Sequence, residues 1–542
     1  MRIIIFLLCI SSYLSFSQTN RDYKKYDLAV QNFKQGDLDK SKKILQKLLK
    51  KQPLWKQPIL LMATISENEG DFLEAIYYLN LIYQKSTTEH LKGLEQIANL
   101  YFKNGYYEKA KEYYTSVWKI DSINCNDKTL INIKSCDFAI FQKRNPKQFN
   151  PINLGSNINS EMREYFPAIS IKGDKLVFTR LIEENYKRSQ EDFYLSYKDQ
   201  NNWIQAIPFP GKLNTNMNEG TLSFSYSDNK IVYTACDRKD SKGRCDLYIM
   251  ENNISYNLGS PVNTIYWESQ GVFSPDGEYL YFVSNNPGGY GGKDIWRSKL
   301  TNDGFSIPEN LGPEINTEYD EISPFIHPDN LTLYFSSNGH IGMGDYDLFI
   351  SRRNTTNLNW GNVENLGFPI NTHRVENSLI VEKDGLTAYY TSDLSGYGKE
   401  DIFTFTLPRE YQAKQINNLE LEILSNKAGD EVILNNVNFS FNSFKLNQAS
   451  IKELNFLIDY LIKNPEKKIT IEGHTDNVGN EEDNLILSKK RAESVYNFLL
   501  NNGIKSNQLI SFEGFGESRP VSSNSSEKGR EENRRTSFRL VQ

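Results

Sequence analysis

Two internal repeats of different period constrain this chain more than any other feature. Between residues 22 and 121, Ala29, Ala63 and Ala98 follow one another at steps of 34 and 35; Gly36, Gly70 and Gly105 keep the same steps, and so do Ser41, Ala75 and Ala110. The turns QGDLDKS, EGDFLEA and NGYYEKA separate paired helical segments, and Pro53 closes the first unit. Small residues suit places where two helices cross closely, and glycine supplies the left-handed turn between them. From Asn150 to Pro408 the period lengthens to about 50 and the pattern turns to alternating strands such as DKLVFTR, NKIVYTA, EYLYFVS, LTLYFSS and LTAYYTS. LGSNINS at 154 returns as LGSPVNT at 258, LGPEINT at 311 and LGFPINT at 366, with a weaker GKLNT at 211. Between these phrases come DFY at Asp192, DLY at Asp246, DIW at Asp294, DLF at Asp347 and DIF at Asp401.

The first set of repeats resembles the tetratricopeptide repeat, in three units with a capping helix over Lys128 to Phe141. That resemblance implies an all-α solenoid over residues 20–145 whose concave face receives a protein partner. The second set resembles propellers of the TolB-like, PD40 type and implies an all-β, five-bladed propeller over 150–408. LGSNINS precedes the first complete unit and no such phrase follows the last. The early strand is therefore expected to complete the fifth blade and close the ring, leaving no open sheet edge.

One Asp per unit at one position reads as a turn-capping side chain accepting backbone N–H bonds. A propeller glycosidase would need clustered arginines and paired carboxylates in its mouth, and Arg180, Arg188, Arg238 and Arg297 do not recur in such a pattern. His90, His327, His340, His373 and His474 show no metal-ligand spacing, and no phosphate loop or nucleophile elbow is present. No catalytic residue, metal or cofactor is expected. Cys236 ends KIVYTAC and Cys245 begins RCDLYIM, so a hairpin would set them opposite each other as a disulfide in an oxidising compartment. Cys125 and Cys136 form a second conceivable pair.

Export is expected from the start MRIIIFLLCISSYLSFSQ, which has one Arg, an apolar stretch and Ser15 and Ser17 spaced for cleavage, giving a signal peptide over 1–17. Cys9 sits too early and follows Leu8 rather than a small residue, which argues against lipid attachment there. At 542 residues the chain is too long for one core, and no internal run is long enough to span a bilayer. Residues 20 to 150 carry 22 basic against 15 acidic side chains, about +7, which leaves about −14 after Asn150 out of a total of −6. An exported chain of this charge is not expected to bind nucleic acid.

After a linker at 409–430, residues 431–542 alternate strand and helix, as a compact α/β sandwich does. GHTDNVG, the N-x-x-LS-x-x-RA frame across Asn484 to Ala492, GFGESRP and NRR stand in order along this stretch. The region resembles the OmpA-like peptidoglycan-binding domain. That resemblance implies a site for the diaminopimelate of a peptidoglycan stem peptide, whose free end carries an ammonium and a carboxylate on one carbon. Asp476 would take the ammonium and Arg491 the carboxylate, with Asn442, Thr475, Asn484 and Arg534 around the same group. Ser440 stands where the family often has Asp.

The order of segments resembles envelope proteins of Bacteroidetes, among them the peptidoglycan-associated component of the type IX secretion machinery. Those commonly carry a carboxypeptidase-regulatory-like domain that this linker is too short to hold. The whole reads as a multidomain, non-enzymatic periplasmic adaptor that holds the wall through its C-terminal domain and outer-membrane or other envelope proteins through the rest. The alternative is a glycosidase or peptidase on the propeller, tethered to the wall.

Overall fold

The computed structural model describes residues 18–541 apart from 84–86, 121–126, 185–187, 201, 227–228, 355–358, 395, 417–418, 421–422, 424–428, 435–436, 438 and 440–442. Residues 1–17, expected to be a signal peptide, and Cys125, Ser440 and Asn442 lie outside the described residues. The chain divides into two compact units. One comprises Met1–Pro146 with Ile341–Asp345 and Thr372–Arg374; the other comprises Lys147–His340, Tyr346–Asn371 and Val375–Gln542.

In the first unit, among the described residues, seven helices follow one another, Asn20–Lys34, Leu38–Lys51, Lys56–Asn68, Phe72–Tyr83, Thr87–Lys103, Tyr107–Ile120 and Asp127–Arg144, each packed on the next. The small residues that mark the period are the crossing points. Ala29, Ser41, Ala63, Ala75, Ala98 and Ala110 are all buried, and the Ser41 hydroxyl donates to the Ala29 carbonyl at 2.9 Å. Gly36, Gly70 and Gly105 end their helices at φ of +80°, +81° and +74°, a conformation that costs a residue with a Cβ. Cys136 is a buried free thiol whose pKa burial pushes up to about 12, so it resists alkylation in the folded protein.

The second unit begins with five antiparallel sheets. Their first strands are Arg163–Ile169, Glu219–Phe224, Glu268–Phe273, Glu321–Ile326 and Asn377–Val381, and each lies beside the next, the fifth beside the first. The short strand Ile152–Asn153 pairs with Asp401–Thr406, so the earliest strand of the unit completes its last sheet.

The recurring phrases have a single structural cause. In LGSPVNT, the Asn263 side chain accepts from the Leu247 N–H at 2.9 Å and donates to the Leu247 carbonyl at 2.8 Å, standing in for a paired strand. Asn214 clamps Phe193 in this way, Asn316 clamps Ile295 and Asn371 clamps Leu348, while Asn159 of the first phrase clamps Ile402 of the last sheet. Each clamped residue follows a recurring Asp. Asp246 accepts from the N–H groups of Lys242 and Gly243, Asp294 from Tyr290 and Gly291, and Asp401 from Tyr397 and Gly398, so these three close the turns before their strands. Three arginines of the sheets are spent in local ion pairs, Arg180 with Glu164 at 2.6 Å, Arg238 with Glu219 at 3.0 Å and Arg297 with Glu309 at 3.1 Å.

Cys236 and Cys245 face each other in the register of Lys230–Cys236 and Cys245–Glu251 and are joined by a disulfide. The loop it closes is short, so its reduction is expected to cost about 2–3 kcal/mol. Chemical unfolding with and without reductant measures this, and coincident curves would contradict it.

The C-terminal part is a four-stranded sheet in the order Glu431–Ile433, Thr536–Val541, Lys468–Gly473, Leu509–Gly514, with only the last pair parallel. Its own core gathers Leu454, Leu457 and Leu461 of the helix Gln448–Lys463, Val495 and Leu499 of the helix Glu481–Asn501, and Ile469, Ile471 and Phe538 of the sheet. Gly473 and Gly514 are paired across the two parallel strands. A Cβ at Gly473 would stand 2.2 Å from the Ser488 carbonyl oxygen, and one at Gly514 would stand 2.4 Å from the Lys489 nitrogen. The glycines thus let the second helix touch the sheet where the strand Lys468–Gly473 ends. Among the described residues no helix is long and apolar enough to cross a membrane.

Candidate functional site

The close approach of helix to sheet brings the turn after Gly473 against the first half of the helix Glu481–Asn501. Asn480 caps that helix, its side chain accepting from the Asp483 N–H at 2.7 Å, so Asp476 is not needed as a cap. Asp476 is buried; its Oδ2 accepts from Arg534 Nη1 at 2.6 Å and its Oδ1 from the Val478 N–H at 3.1 Å. Arg534 also pairs with Glu527 at 3.2 Å, and its bond to Asp476 raises its pKa.

Arg491 is 4% exposed. Its Nε donates to the Ser443 carbonyl at 3.1 Å, and its guanidinium lies 5.2 Å from the centre of the Phe439 ring. Among the described residues no carboxylate pairs with it. Burial lowers its pKa, Asp476 acts in the opposite sense and Arg534 adds to the lowering, so all three charges share one field. An arginine remains charged in such a setting. The site therefore sets two guanidiniums around the Asp476 carboxylate, with Arg491 buried and making no salt bridge among the described residues.

Thr475 is buried, its N–H donates to the Gly516 carbonyl at 2.9 Å, and its hydroxyl has no partner among the described residues. Asn484 donates to the Asp476 carbonyl at 3.3 Å and to Glu517 Oε2 at 2.9 Å, which fixes the turn and ties GFGESRP to it. The structure thus brings together Thr475, Asp476, Asn484, Arg491 and Arg534, with Asn484 and Arg534 holding the turn and the acid. Glu517, Glu527, Phe439 and the Ser443 carbonyl also shape the site, and sequence reasoning did not single them out. Glu517 could have been found within GFGESRP; a backbone carbonyl leaves no signature in residue type.

Behind the site, His474 Nε2 lies 3.6 Å from Glu431 Oε1 and 3.8 Å from Glu472 Oε2, three groups that could hold a metal ion. Sequence spacing does not reveal this cluster, because Glu431 comes from a distant strand. Arg535 donates to Glu431 at 2.9 Å and Arg539 to Glu472 at 2.8 Å, so both carboxylates already carry cationic partners that a dication would oppose. The cluster joins three strands of the sheet. Burial, with Arg535 adding to it, pushes His474 down to about 4, and its ring stacks on Phe515 at 5.5 Å.

Neutral His474 in the fold has a consequence in acid. The unfolded chain takes up this proton below about pH 6.5 while the folded domain resists until about 4, so stability falls as pH drops through that window, by about 3 kcal/mol. Hydrogen exchange of the strand Lys468–Gly473 at pH 7 and pH 4.5 reads the loss. His474→Phe keeps a ring against Phe515 and should flatten the dependence; an unchanged slope would contradict this assignment.

A profile described as the OmpA family matches residues 438–534. The chain is 39% identical over 102 residues to a peptidoglycan-associated lipoprotein of Buchnera aphidicola, covering 19% of this chain and 58% of that protein. It is 37% identical over 87 residues to the peptidoglycan-binding protein ArfA of Mycobacterium tuberculosis, covering 16% of this chain and 26% of that one. Among solved structures, the peptidoglycan-associated lipoprotein from Burkholderia pseudomallei is 32% identical, with 19% of this chain and 87% of that chain covered and a TM-score of 0.19. The chain spans little more than half, or less, of the curated relatives it matches. The C-terminal domain is an OmpA-family domain with peptidoglycan-associated lipoproteins among its homologues.

Proposed function

We propose that this chain is a non-enzymatic cell-envelope adaptor whose OmpA-like domain, residues 431–542, grips the diaminopimelate of peptidoglycan stem peptides. The observation that carries this reading is Arg491, a buried guanidinium with no carboxylate partner among the described residues, in the field of Asp476. A ligand that fits must bring a carboxylate to Arg491 and a cation to Asp476. The free end of diaminopimelate carries both on one carbon, and the names of the relatives support the same ligand class.

Residues 20–145 are read as a tetratricopeptide solenoid and 150–408 as a five-bladed propeller, joined to the wall-binding domain by the linker 409–430 behind a signal peptide at 1–17. The cyclic contacts of the five first strands and the Asn159 clamp on Ile402 support a closed ring. These two parts are assigned to envelope or outer-membrane proteins, a type IX secretion complex among them, and the protein to the periplasm. A wall-tethered enzyme is disfavoured by the cavity among the first strands. Phe166, Phe224, Val272, Phe325 and Ile380 line it, and among the described residues it has no arginine and no carboxylate pair.

The test is co-sedimentation of the full chain with purified sacculi. Single-site affinity is expected to be weak, and the many stem peptides on one sacculus supply retention. Protein left in the supernatant at every sacculus concentration would overturn the reading.

A further inference from the structure

The helix Glu481–Asn501 presents Lys490, Ser494, Asn497 and Asn501 on one face, at steps of four, three and four. That face forms one wall of a cleft of about 850 Å³, with Ser443 and Phe444 opposite. The cleft is continuous with the charged site, because Ser443, whose carbonyl accepts from Arg491, lines it. Phe444 is 49% exposed although it lies in a cleft, and the Lys490 ammonium stands 5.7 Å from its ring centre.

We propose that this cleft takes the part of the muropeptide between the gripped diaminopimelate and the glycan strand, and that it seats the muramyl sugar on the Phe444 ring. The proposal rests on the peptidoglycan reading above. From Lys490 to Asn501 the helix advances about 16 Å. Two extended stem residues cover at least about 7 Å of that, and more where one is linked through its side-chain carboxyl, which leaves the rest of the cleft for a sugar ring. A sugar offers a C–H face to an aromatic ring and hydroxyls to amides and hydroxyls, and the cleft presents the Phe444 ring, which stands beside Lys490, with Ser494, Asn497 and Asn501 further along the helix. The stem residue before diaminopimelate carries a free carboxylate. Lys445 and Lys490 supply cations to the cleft, with Glu493 the one acidic group among the described lining residues.

Calorimetric titration of the full chain compares two probes: a disaccharide-tripeptide from a diaminopimelate wall, and the same tripeptide freed of its sugars. The wild type should bind the sugar-bearing probe about tenfold more tightly, a difference of about 1.4 kcal/mol. Phe444→Ala should remove that advantage while leaving tripeptide affinity within about twofold, and Asn497→Ala, on the exposed helix face, should remove part of it. Equal affinity of the wild type for both probes, or an undiminished advantage in both variants, would overturn the proposal. A tripeptide that binds as well to Arg491→Ala as to the wild type would instead overturn the reading on which it rests.

Discussion

Arg491→Ala is expected to abolish retention on sacculi while leaving the domain folded. The ligand carboxylate would enter a buried position with no cation to meet it, and Asp476 would be left with Arg534 alone. Truncating one partner of such a pair costs about 2–5 kcal/mol, or roughly 30-fold to several thousand-fold in affinity. Asp476→Ala should cost as much by the opposite route, since the ligand ammonium loses its acceptor and Arg534 its partner at 2.6 Å. Arg491→Lys should not restore binding, because an ammonium offers a point charge where a planar fork meets a carboxylate through two parallel bonds. Near-wild-type pelleting by these variants would contradict the site.

Gly473→Ala is expected to abolish wall binding for a different reason. Its added methyl would lie 2.2 Å from the Ser488 carbonyl oxygen, a backbone atom that cannot swing aside. The helix must lift from the sheet, which we expect to cost about 3 kcal/mol or more. That helix carries Asn484 and Arg491, so unfolding and loss of the site arrive together. Hydrogen exchange separates the two variants: Arg491→Ala should keep the protection of strands Lys468–Gly473 and Thr536–Val541, and Gly473→Ala should lose it. Full protection and full binding in Gly473→Ala would show that the close approach is not needed.

The period near 34 was visible because each repeat needs a small residue at its crossing, as the buried Ser41 and Ala29 show. The phrases near period 50 were visible because each repeat uses one Asn side chain to replace a missing strand, and three of the five use the recurring Asp to close a turn. The motif order that singles out Asp476 and Arg491 places them on a turn and a helix that lie together in the fold. What could not be read is bonded through the backbone or across distant strands. The Ser443 carbonyl on Arg491 depends on no side chain, and Glu431 reaches the His474 cluster only once the sheet has formed. Arg534, expected around the ligand, spends its charge on Asp476 and Glu527, a division that needs coordinates to see.

On the proposed reading the site requires a carboxylate and an ammonium on the same carbon, and wall chemistry offers a direct comparison. Stem peptides with lysine in place of diaminopimelate keep the ammonium and lack the carboxylate. The full chain should pellet with diaminopimelate-type sacculi, be released by free meso-diaminopimelate but not by lysine, and remain in solution with lysine-type sacculi. Equal pelleting with both wall types would contradict the account.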